Sequence, residues 1–194
     1  MRSVLISTRP KLVEKICHTI GEDETGKAIY EKRIEVRKSA PQEVPFKCYI
    51  YETKGQYVKF THGAHTKYGY GRGKVIGEFI CDKVYSIKNR GSSFSVADEE
   101  QSVTNEIARQ SCLYYDDMVS YFGNKDGFGW HISDLKIYDK PKELSEFRKP
   151  CDRFLDCCTC RRLVRNEYMN CDNKITRPPL SWCYVEDLGE EECR

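Results

Sequence analysis

Three groups of side chains in this sequence are of types that do chemistry. The first is Lys32-x-x-Glu35-x-Arg37, two cations and a carboxylate within six residues. Such a set can hold a phosphate or carboxylate while the acid orients a base or a sugar hydroxyl. Charges on a strand face can equally pair with one another in solvent, and the residue pattern leaves both readings open. The second group is five cysteines between Cys151 and Cys171. Cys157-x-x-Cys160 has the two-residue spacing that turns two thiolates toward one tetrahedral ion, and Cys151 and Cys171 can complete four ligands for a structural zinc. Cys158 is then spare, or replaces Cys157. Arg153, Arg161, Arg162 and Arg165 favour thiolates and suit a phosphate backbone. Free thiols or a redox pair are the alternatives. The third group runs from Gln56 to Lys74, where no acidic residue occurs and Lys59, Lys67, Arg72 and Lys74 stand among Tyr57, Phe60, Tyr68 and Tyr70. Cations beside aromatic rings suit an unpaired nucleic-acid strand, and a solvated insertion is the plainer reading. Gly69-Tyr70-Gly71-Arg72-Gly73-Lys74-Val75 fails the phosphate-loop pattern, since Val75 follows the lysine and no glycine stands five before Gly73.

The elements that must position these groups are legible in outline. Val4-Leu5-Ile6 is a short β-prone run, and Ser7-Thr8-Arg9-Pro10 offers cap hydroxyls and a first-turn proline. Leu12, Val13, Ile16 and Ile20 make one apolar stripe of the helix that follows. Arg33 to Arg37 alternates with period two, so Ile34 and Val36 share one face and Arg33, Glu35 and Arg37 the other. Lys32 has the wrong parity and can join Glu35 and Arg37 only from a twisted strand start or the preceding turn. Residues 46–51, 74–81, 130–138 and 181–185 are further strands by their β-branched and aromatic content. Residues 98–113 and 116–122 are helical, the second ended by Gly123. Strands interrupted by helices at uneven spacing predict an α+β or small barrel architecture.

Composition bounds the function classes. With 39% hydrophobic residues the chain of 194 is globular, and 32 Lys+Arg against 30 Asp+Glu gives a net charge of +2, too balanced to imply a polyanionic partner without local argument. No stretch approaches the roughly 18 apolar residues that span a bilayer, and no secretory leader is legible at the N-terminus, so the reading is no membrane and a cytoplasmic protein. Eleven cysteines, an odd number, are then mostly reduced thiols.

Leu5-Ile6-Ser7-x-Arg9-Pro10 leading into a helix, Lys32-Arg33-Ile34-Glu35-Val36-Arg37-Lys38, and Gly73-Lys74-Val75-Ile76-Gly77-Glu78-Phe79 together resemble the ASCH family of the PUA-like class. Trp130-His131-Ile132-Ser133-Asp134-Leu135 and Trp182-Cys183-Tyr184-Val185 look like its closing strands. The resemblance implies one domain over residues 1–194, a PUA-like small β-barrel with flanking helices, and a cleft associated with RNA. Insertions interrupt it at about 56–73, the basic-aromatic loop, and 151–177, the cysteine-rich knuckle. The family glycine two residues before the lysine falls at Tyr30, and about ten residues from Glu22 to Tyr30 are inserted. Some small relatives hydrolyse acetylcytidine with a lysine, a threonine and a glutamate. Lys32 matches the lysine, but the threonine position is Glu35, which has no hydroxyl to act as nucleophile.

The expectation is therefore an RNA- or nucleotide-binding module. Lys32 and Arg37 would hold phosphate, Glu35 would accept from a base or sugar, Arg9 and Lys11 would widen the positive rim, and Tyr68, Arg72 and Lys74 would extend the contact. The rival is a hydrolase acting on a modified nucleoside or on RNA, with Lys32 and either Glu35 or Glu78 as acid and base. A protein-docking role for the acidic end around Glu190-Glu191-Glu192 stays open, and no protein partner is identified.

Overall fold

The computed structural model describes residues 3–59, 67–91, 93–150 and 173–188. In chain order the described elements are β1 (Ser3–Thr8), α1 (Pro10–Cys17), β2 (Thr19–Glu22), β3 (Ala28–Tyr30), β4 (Ile34–Arg37), β5 (Phe46–Glu52), β6 (Gly55–Lys59), β7 (Lys67–Gly71), β8 (Lys74–Cys81) and β9 (Val84–Asn89). They continue with β10 (Phe94–Val96), α2 (Gln101–Ser111), α3 (Tyr115–Phe122), β11 (Gly127–His131), β12 (Ser133–Lys142) and β13 (Trp182–Val185).

The apolar runs pair into two main sheets. One has the order β12-β8-β5-β1-β13, and the other the order β10-β9-β11-β4. β1 and β5 run parallel, with α1 in the connection between them, while the other pairings are antiparallel. Between the sheets lie Val4, Ile6, Phe46, Cys48, Ile50, Phe79 and Trp130, closed by Val13 and Ile16 of α1. Trp130 packs edge-on against Phe46 at 5.1 Å and against Trp182 at 5.9 Å. The outer face of the five-stranded sheet carries Leu5, Tyr49 and Val75 under Phe147 and Ile175. The outer face of the four-stranded sheet packs Ile34, Val36 and Ile87 on Ile107 of α2 and on Met118 and Phe122 of α3. This is an α+β fold.

The expected closed barrel is not formed by the described strands. The sheets meet at two corners, where β8 turns into β9 through Asp82 and Lys83 and where Ile132 carries the chain from β11 into β12. Backbone bonds from His131 N–H to Lys83 O and from Ile132 N–H to Arg33 O hold that side. On the other side, edge strand β4 faces edge strand β13 without a ladder. The side chain of Arg37 spans this opening, with Nη1 donating to Ser181 O at 3.2 Å and Nη2 to Ser7 O at 2.9 Å. Thr8, a candidate cap for α1, instead accepts from Arg37 at 3.2 Å.

Two expectations on the elements change. The helix stripe ends at Cys17, and Ile20 is half exposed in β2, because the inserted residues form a β2–β3 hairpin of their own. Its turn is organised by Asp23, whose carboxylate accepts from the Thr25 and Lys27 backbone N–H groups. The hairpin leaves and returns at one place, with Glu31 N–H bonded to His18 O and Lys32 N–H to Lys15 O. The hairpin thus returns Lys32 to the end of α1, two residues before β4 begins. The strand read over 130–138 is split at Ile132 by the sheet corner.

β4 is buried at all four positions, so its charged face lies inside the protein and not in solvent. Lys32, Glu35 and Arg37 are 1%, 3% and 5% exposed. Glu35 Oε1 meets Arg37 Nη2 at 2.7 Å and Glu35 Oε2 lies 3.4 Å from Lys32 Nζ. Replacing Glu35 by Gln leaves two buried cations facing each other, and we expect a loss of about 3–5 kcal/mol in urea unfolding. Glu31→Gln, which breaks a partly exposed pair with Lys15, should lose no more than about 1 kcal/mol. Equal losses in the two variants would show that the buried pairs do not brace the sheets.

Candidate functional site

Lys32 lies two residues before β4, outside the strand, which is how it reaches the same side as Glu35 and Arg37 despite its parity. Its Nζ donates to Ile34 O at 2.5 Å and to Ser111 O at 2.8 Å, the latter a free carbonyl end of α2 where the helix dipole favours a cation. Burial pulls the Lys32 ammonium below the usual lysine range, and Glu35 works against that shift. The motif face looks into the space between the sheets: Trp130 stands opposite Glu35 in the β11–β4 register, and Trp130 belongs to the inner core. This trio is therefore a buried internal group, and it lines neither of the two cavities described below.

Glu78 is not brought to it. In the β5–β8 ladder Glu78 is paired with Tyr49, on the outer face of the five-stranded sheet, and it accepts from Tyr138 Oη at 2.5 Å. The sheet itself separates Glu78 from Lys32. Burial chiefly, and the hydrogen bond to Glu78, raise the Tyr138 hydroxyl pKa.

The surface groups assemble elsewhere. β6 and β7 form a two-stranded hairpin that rests on α1, so the expected basic loop is strand on both described sides, with residues 60–66 outside the described residues. β7 reads Lys-Tyr-Gly-Tyr-Gly, and alternation turns Tyr68 and Tyr70 one way and Gly69 and Gly71 the other. The glycines face inward: a Cβ on Gly69 would lie 2.3 Å from the Tyr57 ring, and one on Gly71 would lie 1.9 Å from Thr53 O and 2.5 Å from Pro10 Cγ. The tyrosines face outward, 55% and 70% exposed.

Beneath the hairpin a groove of about 310 Å³ is lined by Val13, Glu14, Cys17, His18, Glu52, Tyr57 and Arg72. Buried Glu52 accepts from the Arg72 backbone N–H at 2.9 Å and lies 3.6 Å from its Nε, which fixes Arg72 at the groove edge with its side chain over half exposed. His18 Nδ1 meets Glu31 at 3.0 Å on the far rim. Hydrogen bonds from Lys15 chiefly, and from His18, hold the Glu31 carboxyl below the usual glutamate range. Arg9 and Lys11 are exposed at the start of α1, while Lys74 is tied to Glu143 at 2.8 Å and lies past the hairpin. Sequence reading did not single out Glu52 or His18. The one available signal for Glu52 was a carboxylate ending a strand whose only other charged residue is Lys47.

Cys151, Cys157, Cys160 and Cys171 lie outside the described residues. Among the described residues no three His, Cys, Asp or Glu side chains gather as a metal site, and no helix is long and apolar enough to cross a membrane. The described flanks of the cysteine segment are paired. Arg148 bridges Lys174, and Lys149 N–H donates to Asn173 O at 2.9 Å.

No family model and no curated protein matches the chain. Among solved structures the fold matches the crystal structure of ASCH from Zymomonas mobilis, with a TM-score of 0.50 and 14% identity over 95% of this chain and 87% of that one. A tyrosine-to-phenylalanine mutant of the same protein matches with a TM-score of 0.51 and 14% identity over 96% of this chain and 91% of that one. At such identity the likeness is one of fold, and the chain has the fold of an ASCH domain, in line with the resemblance carried by its Lys32 to Arg37 motif.

The groove depends on the closeness of β7 to α1. Gly71→Ala should force the hairpin away from Thr53 and Pro10 and cost about 1–3 kcal/mol by overpacking. Urea denaturation measures this, and an unchanged midpoint would mean that the hairpin does not rest on the helix.

Proposed function

We propose that this chain is an RNA- or nucleotide-binding module of ASCH fold, and that it contacts unpaired RNA along α1 and the β6–β7 hairpin. The observation that carries the reading is the β7 face. Tyr68 and Tyr70 are exposed on one side of a strand whose other side is pinned flat by glycines, with Arg72 fixed at its end. Two rings held out in this way can stack successive bases, and stacking of this kind contributes about 1–3 kcal/mol per base. Arg72, with Arg9 just before the helix and Lys11 on it, supplies cations for the backbone. Lys32, Glu35 and Arg37 hold the sheets beneath this surface and take no part in phosphate contact. The alternative of a hydrolase using Lys32 with Glu35 or Glu78 has less support, since Lys32 Nζ is held by two carbonyl oxygens and Glu78 faces the far side of the sheet.

A fluorescence titration of labelled single-stranded RNA of about a dozen nucleotides, at several salt concentrations, tests this. Binding should weaken with salt by a log–log slope of about −0.7 per phosphate contact. Tyr68→Ala and Tyr70→Ala should each weaken it, and Lys32→Met should leave both affinity and slope unchanged in the folded fraction. Failure to bind at low salt, or a loss of binding in Lys32→Met without unfolding, would overturn the proposal.

The cysteine segment has a structural role in the same reading, with Cys151, Cys157, Cys160 and Cys171 holding one zinc ion. What supports it is the pairing of the flanks, Lys149 with Asn173, so that the two ends of the segment start from neighbouring positions, as a shared ion requires. Metal analysis of the purified protein should find about one zinc per chain, lost in Cys157→Ser/Cys160→Ser. A metal-free, folded wild type would refute it.

A further inference from the structure

On the outer side of the four-stranded sheet lies a second cavity, of about 240 Å³, between β9, β10 and β4 on one side and α2 and α3 on the other. It shares no lining residue with the groove under the hairpin. Val36, Ile87, Val96, Ile107, Leu113 and Met118 form its apolar wall. Among the described residues no charged side chain lines it.

We propose that this cavity binds one uncharged nitrogen heteroaromatic molecule of one or two fused rings. Size sets the upper bound. An apolar cavity of roughly 150 Å³ takes benzene, so this one has room for about one further ring. The absence of a lining charge sets the ionic state, since an ionised ligand would give up its hydration with no counter-charge in return.

The polar rim sets the chemistry of the edge. Gln101 Nε2 donates to Asn105 Oδ1 at 3.0 Å, which leaves the Gln101 carbonyl oxygen to accept and the Asn105 amide to donate. Deeper in, Thr104 is 8% exposed and its hydroxyl accepts from the Val96 N–H at 3.1 Å, keeping its own proton for a ligand acceptor. Donor and acceptor side by side, with a further buried donor behind them, complement the lactam-like edge of a ring such as a purine base. Phe94, packed on Tyr115 at 5.4 Å between ring centres, gives the ring face an aromatic neighbour.

The test titrates the full chain with hypoxanthine and, separately, with benzene, following the methyl resonances of Ile87, Ile107 and Met118. Saturable one-to-one binding of hypoxanthine, tighter than that of benzene, is expected. Thr104→Val, which also removes the acceptor of the Val96 N–H, should weaken it about tenfold in the folded fraction, whereas Thr104→Ser, which keeps the hydroxyl, should not. Ala108→Leu, which fills the cavity from α2, should abolish it while leaving the melting temperature no lower. Should that variant fail to fold, Thr104→Val decides alone. No saturable shift up to the solubility limit, benzene binding as tightly as hypoxanthine, or hypoxanthine affinity unchanged in Thr104→Val would each overturn the proposal. Binding that survives in a folded Ala108→Leu protein would do the same.

Discussion

The structure depends on burying two cations and one carboxylate in the interior between two sheets. Lys32, Glu35 and Arg37 bring a net positive charge into that space, and a charge there is tolerable only if polar atoms surround it. Backbone carbonyls do this work. Ile34 O and Ser111 O hold Lys32, and Ser7 O and Ser181 O hold Arg37. Each of these acceptors belongs to a different part of the fold, so meeting the needs of the cations assembles β1, the approach to β13 and the end of α2 around β4. Arg37 matters most among them, because its planar fork reaches across the edge where the sheets have no ladder.

This arrangement separates the charged motif from the exposed rings. Lys32, Glu35 and Arg37 are buried and paired between the sheets, while Tyr68 and Tyr70 stand exposed on the β6–β7 hairpin. The same separation explains how the chain tolerates a further hairpin at β2–β3. Its ends are bonded to the end of α1, Glu31 N–H to His18 O and Lys32 N–H to Lys15 O, so the hairpin returns the chain beside the helix. The described residues on either side of 151–172 are likewise paired, Lys149 N–H with Asn173 O.

Much of the architecture was legible from residue order. The apolar runs at 4–6, 46–51 and 74–81 are strands, Pro10 begins a helix, and Gly123 ends another. Lys32 has the wrong parity for the face of Glu35 and Arg37 and lies outside the strand, which begins at Ile34, and the ASCH resemblance holds at the level of fold. The tyrosine–glycine alternation of β7 was present as well, although the glycines suggested a loop; their small size instead allows close approach to Tyr57, Thr53 and Pro10.

What the sequence determined by itself is local: which segments are strand or helix, which side chains share a face, and where cations and aromatic rings accumulate. These follow from backbone sterics and from the periods of strand and helix, which act over a few residues. Only the tertiary structure decided that the charged face of β4 turns inward, that Glu78 stands on the far side of a sheet from Lys32, and that Tyr68 and Tyr70 face solvent. The physical reason is that the partners which make burial of Lys32 and Arg37 possible are main-chain carbonyls. Every residue carries one, so no side-chain type announces it, and its availability depends on which strands and helix ends the fold leaves unpaired.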